Sequence, residues 1–322
     1  MTKSEIVRNA IKDFPDLPNR TIARYILFNY GDLFDNDLEK IRDSVRYHVG
    51  AKGEHNRQNI KELLPKDPNI KIPTTWRKIR TPYNLSPGLW LILADVHFPF
   101  HEPQALEAAV KYGQNQKIKG TLINGDLQDC ASISFWKSAI KRDFDKEVVL
   151  VINGLDWLRQ ELPGELVYKP GNHEYFLPRL FQSKVPELMG LPLAAMDTIL
   201  GLESRGIEFL DYYQVVKAGK LPILHGHELG RIDRSVNPAR GLFLKAKSWA
   251  MCGHCHTTSE HSTRNIKGEL LTTWSIGCLS DLSPDFNPYA YDWNHGFALV
   301  NVEKNGGFVV ENRRILPNGN VV

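Results

Sequence analysis

Five short polar clusters, each just after an apolar run, hold side chains able to bind metal. The clusters are Asp95-Val-His97, Gly125-Asp126, Gly171-Asn172-His173-Glu174, His225-Gly226-His227 and Gly253-His254-Cys255-His256. A carboxylate can span two cations, neutral imidazoles hold borderline metals such as Mn, Fe and Zn, and an amide oxygen adds a ligand without charge. Two adjacent cations lower the pKa of a shared water, to about 7 in the single-zinc case, and offset charge building on a phosphoryl group. The set points to dinuclear hydrolysis of phosphate esters. Any one cluster alone is an ordinary turn.

Positioning these residues requires strands. Leu89–Ala94, Gly120–Asn124, Leu166–Tyr168, Leu221–Leu224 and Trp249–Cys252 read as buried strands, each ending where a cluster begins. Pro103 to Gly113, with Ala105, Ala108, Ala109 and Val110, has the spacing of an amphipathic crossover helix, so the fold class is α/β. Carboxyl ends of neighbouring strands in such sheets open on one crevice, where residues distant in sequence meet. Residues 176 to 210 are apolar and helical in character, and read as a packed outer layer rather than a cap over that crevice.

Three segments emerge along the chain. Residues 1–64 read as three short helices, with Ile6, Ala10 and Ile11, then Ile22, Tyr25 and Ile26, then Leu38, Ile41 and Val45 at the helical period. Asn36 with Glu39 has the form of a capping box for the third. Residues 65–88 carry Pro65, Pro68, Pro73, Pro82 and Pro87 and read as a linker. Residues 89–322 are then the hydrolytic domain.

Pro18 to Arg24 followed by the third helix resembles a helix-turn-helix, with Arg42, Arg46 and Lys52 as candidate DNA contacts. Asp32, Asp35, Asp37, Glu39 and Asp43 in the same region repel phosphate, so DNA contact and a plain interaction module both stay open.

With 322 residues, 42% hydrophobic and 24% charged, the chain can bury a full core, and a net charge of +3 permits nucleic-acid contact without demanding it. No run approaches the roughly 18 apolar residues of a membrane span, and Met1-Thr-Lys-Ser-Glu lacks the apolar core of a secretory signal. The expected compartment is the cytoplasm, with no membrane partner. Four cysteines in a chain this long are expected as thiols there.

In order, Asp-x-His, Gly-Asp-x-x-Asp, Gly-Asn-His-Glu, His-Gly and Gly-His-x-His resemble the calcineurin-like metallophosphoesterase superfamily, from about Leu89 to Leu316. The resemblance implies a four-layer α-β-β-α sandwich of two mixed sheets with the metals at one edge. It implies one metal on Asp95, His97 and His256, another on Asn172, His225 and His254, and Asp126 bridging them. His227 is a rival to His225, which is preferred because it directly follows the strand. Two divalent ions are implied, manganese first, with iron, zinc, nickel or magnesium as alternatives.

The implied mechanism is attack on phosphorus by a metal-bridged hydroxide, with His173 as general acid. Asp129 is the candidate carboxylate holding the other ring nitrogen of His173, ahead of Glu174. The layout of helical module, linker and hydrolase is similar to proteins encoded by bacteriophages, which would act in the host cytoplasm. It favours a phosphodiesterase or nuclease acting on DNA. A phosphomonoesterase acting on nucleotides or phosphoproteins and a noncatalytic DNA-binding module are the alternatives.

The chain departs from the protein Ser/Thr phosphatases of that superfamily, with Cys130 and Tyr175 where they carry arginine. Arg179, Arg231, Arg234 or Arg240 could reach the site from elsewhere, but a solvated surface is the favoured reading for them. Cys252-Gly-His-Cys255-His256 also matches a c-type haem attachment and, in part, a thioredoxin-like dithiol. Neither accounts for Asp95, Asp126 or Asn172, and two buried thiols beside metal-binding histidines is the favoured reading.

Overall fold

The computed structural model describes residues 1–50, 71–75, 80–135, 143–230, 232, 237–284 and 291–322. Lys52, Arg231, Arg234 and the proline-rich stretch through residue 70 lie outside them. The chain divides into two compact units, Met1–Arg77 and Lys78–Val322.

In the first unit, α1 (Lys3–Asp13), α2 (Asn19–Tyr30) and α3 (Leu38–Val49) close on one core. Their helical spacing puts Ile6, Ala10, Ile22, Ile26, Ile41 and Val45 inside with Phe34, while Tyr25 stays at the surface, edge-on to Phe14 at 4.8 Å. The cap of α3 differs from expectation. Asn36 is left-handed and its amide turns to Asp32, so Asp37 takes the position, its Oδ1 accepting from the amides of Glu39 at 3.0 Å and Lys40 at 3.1 Å. The capping box belongs to α1, where Thr2 and Glu5 each accept from the other's amide.

The second unit holds two six-stranded sheets. In chain order the strands are β1 (Tyr83–Asn84), β2 (Gly88–Leu93), β3 (Gly120–Asn124), β4 (Glu165–Lys169), β5 (Ile207–Phe209) and β6 (Val216–Ala218). They continue as β7 (Leu221–Leu224), β8 (Ala250–Cys252), β9 (Ser259–Arg264), β10 (Leu270–Ser275), β11 (Gly296–Val302) and β12 (Phe308–Arg314). One sheet runs β12-β11-β2-β3-β4-β5, its last four strands parallel; the other runs β1-β6-β7-β8-β10-β9. Tyr83–Asn84, within the stretch read above as linker, pairs with β6 at a sheet edge.

Strand alternation sets the layers. In β2 and just past it, Trp90, Ile92 and Ala94 face the other sheet with Leu122, Ile223 and Met251. Leu91 and Leu93 face the opposite way, onto α4 (Pro103–Asn115) and α5 (Phe144–Glu161) through Ala109, Val151 and Leu155. The outer face of the second sheet is covered by α8 (Pro238–Ala246), whose Leu242 packs on Ala250 and Cys252. Helices, sheet, sheet and helix make the four expected layers. Between them, α6 (Phe176–Lys184) and the short α7 (Met196–Ile199) complete the first helical layer, burying Phe176, Leu177, Met196 and Leu200. Leu188, Met189, Leu191 and Leu193 stay exposed, so this region packs only along its inner side.

Candidate metal centre

All five clusters meet at one edge, beyond the carboxyl ends of β2, β3, β4, β7 and β8. Asp95, His97 and His256 form one group of facing donors, and Asp126, His225 and His254 another. Asn172 joins the second, its Oδ1 3.2 Å from His225 Nε2. Asp126 lies between them, with Oδ2 3.1 Å from His225 Nε2 and 3.8 Å from His97 Nε2. His227 is set apart from the donor groups, its ring 5.4 Å from that of His225.

The backbone adopts costly conformations to achieve this. Asp95, His97, Asp126, His254 and His256 all have positive φ, a left-handed geometry that side-chain-bearing residues rarely adopt. The loops also interlock: Asp95 accepts from the His254 amide with both oxygens, at 2.8 and 3.1 Å, and Asp126 Oδ1 accepts from the His173 amide at 3.0 Å. The glycines follow from the crowding. A Cβ on Gly125, whose φ is +89°, would strike the His225 ring, and one on Gly171 would strike the Asp126 carboxylate.

Ring orientation fixes which nitrogen faces inward. His225 Nδ1 lies 2.8 Å from the Asn124 carbonyl, which can only accept, so Nδ1 carries the proton and Nε2 is the free donor atom. His97 Nδ1 likewise donates to Asp129 Oδ1 at 2.9 Å, leaving His97 Nε2 facing His256 Nε2 at 3.3 Å. Two imidazole lone pairs so aimed repel unless a proton or a cation lies between them. Ligand atoms about 2.1 Å from one tetrahedral ion stand roughly 3.4 Å apart, so these spacings fit a shared cation.

Charge tells the same story. Burial resists ionisation of Asp126, yet the imidazoles of His225 and His173 overcome it and hold the carboxyl well below its usual range. Burial also pulls His225 down, but the Asp126 carboxylate outweighs it and raises the imidazole to about 10. His256 is raised well above its usual value by Asp95 against the same opposition. His254 goes the other way, to about 3, through burial and the neighbouring His225. The buried carboxylates thus draw positive charge to the imidazoles, which is the condition for cations to replace protons. The donor set would suit two divalent ions, with the Asp126 carboxylate facing both groups.

His173 sits at the open side, its Nε2 3.9 Å from Asp126 Oδ2. The expected role of Asp129 is only partly met. Its main-chain carbonyl accepts from His173 Nδ1 at 2.6 Å, whereas its carboxylate serves His97 and is 3.5 Å from His173. Glu174 turns away from His173 altogether: it accepts from the amides of Asp126, Gln128 and Gly171 and from the Tyr168 hydroxyl, tying two loops together.

Sequence reasoning missed a further brace. Lys169, fully buried at the end of β4, contacts Glu228 at 2.6 Å, and Glu228 accepts from the amides of His225 at 3.1 Å and Gly226 at 2.7 Å. The pair joins the Asn172 loop to the His225 loop. Lys169 offsets the burial of Glu228 and depresses its carboxyl to about 2. A charged residue directly after the buried run Leu166-Val-Tyr168 was the available signal, because a buried charge needs a partner.

The thiols of Cys252 and Cys255 are buried, and His256 is engaged with Asp95 at 3.2 Å, an arrangement that serves neither haem attachment nor an exposed dithiol. Of the arginines proposed as phosphate clamps, Arg179 lies over the Phe135 ring at 4.6 Å, and the amide of Arg240 is taken up in the Asn237 cap of α8.

No protein-family model matches the chain, and no curated protein matches it in sequence. Among solved structures it is similar to Vps29 from Entamoeba histolytica in complex with zinc, at 15% identity and a TM-score of 0.36 over 73% of this chain and 96% of that one. It is also similar to Vacuolar Protein Sorting 29 from Cryptosporidium parvum, at 16% and 0.40 over 74% and 96%. A third likeness is to a dimetal phosphatase from Danio rerio, at 13% and 0.37 over 71% and 97%.

Proposed function

We propose that the protein is a dinuclear metal-dependent phosphoesterase. The observation that carries this is the meeting of Asp95, His97 and His256 with Asn172, His225 and His254 around the buried Asp126. Bound divalent ions would supply Lewis acidity toward a phosphoryl group and a water of lowered pKa. The chain supplies the rest. His225 and His97 are held by Asn124 and Asp129 with Nε2 inward, so the site is organised before any ligand arrives. His173, with Nδ1 tied to the Asp129 carbonyl, presents Nε2 toward the open side and acts as general acid, giving its proton to the leaving alkoxide.

The finer reading is a phosphodiesterase or nuclease acting on DNA, supported by the three-helix module, which would raise the local concentration of DNA at the site. Arg42 and Arg46 on α3 pair with Glu39 and Asp43 at 3.1 and 3.5 Å. Such exposed pairs are worth about 0–1 kcal/mol and can be exchanged for phosphate contacts. The test is metal analysis of the purified chain, followed by a panel of monoesters, diesters, cyclic nucleotides and single- and double-stranded DNA with Mn, Fe, Zn, Ni and Mg. Two equivalents of metal and turnover of diesters are expected. Failure to bind metal or to turn over any ester in the panel would remove the hydrolase reading, and turnover of monoesters alone would replace the nuclease with a phosphatase.

A further inference from the structure

Ring contacts extend outward from the metal donors at two ends of the cluster. At one end Trp293 packs on His256 with centroids 4.1 Å apart. At the other, His225 touches His227, His227 touches Tyr213 at 6.3 Å, and Tyr213 touches Tyr175 at 5.7 Å. Tyr175 directly follows the Asn172-His173-Glu174 loop, so this second end is built from the same segment as the site.

Its charge is distinctive. The Arg80 guanidinium lies 5.4 Å from the Tyr213 ring, and its Nε donates to Asp211 Oδ1 at 3.2 Å. The same Asp211 oxygen accepts from the Tyr213 amide at 3.2 Å, fixing ring and cation to one anchor. The Tyr213 hydroxyl is raised above its usual value, first by its hydrogen bond to Tyr175 and by burial, with the Arg80 and Arg179 charges opposing. Tyr213 is 44% exposed and the Arg80 side chain 42%, so both are open to a ligand.

Resting on the phosphoesterase reading, we infer that Tyr213, Tyr175 and Arg80 form a ledge for a nucleobase and its flanking phosphate, so that the substrate is a nucleic-acid phosphodiester. A planar base stacks on tyrosine whatever its identity, and a guanidinium beside the ring takes the next phosphate along the strand. Trp293 offers a ring on the other side of the cluster, matching a diester that carries a nucleoside on each side of the scissile phosphate.

The test is binding of a fluorescent, phosphorothioate-linked thymidine tetranucleotide to the full metal-loaded chain, compared with an abasic strand of the same backbone. The native protein should prefer the base-bearing strand by about tenfold, within the range expected for stacking of one base. In Tyr213→Ala that preference should fall to about twofold or less, and in Tyr213→Phe it should persist. Arg80→Ala should weaken both strands and reduce the salt slope by about one. Equal binding of the two strands by the native protein overturns the proposal, as does an undiminished preference in Tyr213→Ala or a loss as large in Tyr213→Phe. Hydrolysis without base preference would sink the ledge alone, whereas base preference without hydrolysis of any ester would sink the phosphoesterase alone.

Discussion

The two halves of the donor cluster are held in place by different physics. Around Asp95, His97 and His256, orientation comes from a carboxylate on an imidazole, Asp129 on His97, and from Asp95 gripping the His254 amide. Around Asn172, His225 and His254 it comes from a backbone carbonyl on His225 and from the buried Lys169–Glu228 pair, which grips the loop by its amides. Carboxylate–imidazole contacts adjust with protonation. A buried ion pair does not, and removing one partner strands a charge at a cost of about 3–5 kcal/mol. The second half should therefore be the more brittle of the two.

The shared element sets the largest expected effect. Asp126→Asn should lose both metals and turnover together, since both halves face Oδ2, whereas His173→Ala should keep its metals and lose about 10²–10⁴-fold in turnover. Metal analysis beside kinetics on one ester checks this, and equal metal content with equal turnover in the two variants would count against both roles.

Glu228→Gln should weaken the second half and Asp129→Asn the first, each by about 10–100-fold in metal affinity, the scale for groups that orient ligands. Manganese titration followed through the ring resonances of His225 and His97 separates them. If both variants shifted the same histidine, the two halves would not be independently supported.

A smaller effect concerns pH. His225 is raised from 6.5 to about 10, burial opposing and Asp126 prevailing. In metal-free protein its stabilisation is complete below about pH 6.5 and is lost as pH rises toward 10. Cations need the deprotonated ring, so their stabilisation grows over the same window. The difference in Tm between manganese-loaded and EDTA-treated protein should widen from pH 6.5 to 9, and a gap that narrows would contradict the assignment.

Smallest of all, Asp37→Ala should cost the helical module about 1 kcal/mol in urea denaturation and leave metal content unchanged. A matching loss of metal would show that the two units are coupled.

Much of the donor set could be read from the chain because each cluster follows an apolar strand, and strand ends in such sheets converge. That His225 rather than His227 lies against Asp126 was legible for that reason, since β7 ends at Leu224 and delivers the next residue to the edge. The supporting residues were not. Whether Asp129 serves His173 or His97, and by carbonyl or carboxylate, depends on left-handed turns that spacing does not encode. Likewise Asn36 and Asp37 both suit a cap, and only the path of the preceding turn selects Asp37.

By itself, the sequence determined the α/β class, the strands that carry the clusters and the kinds of donor atom available, because periodicity and residue chemistry are local properties. Tertiary structure alone decided which imidazole nitrogen faces inward, that Lys169 meets Glu228 across 59 positions of chain, and that Tyr213 and Arg80 share one anchor in Asp211. Those relations arise where separate loops pack together, and contact geometry between distant segments leaves no period in the chain.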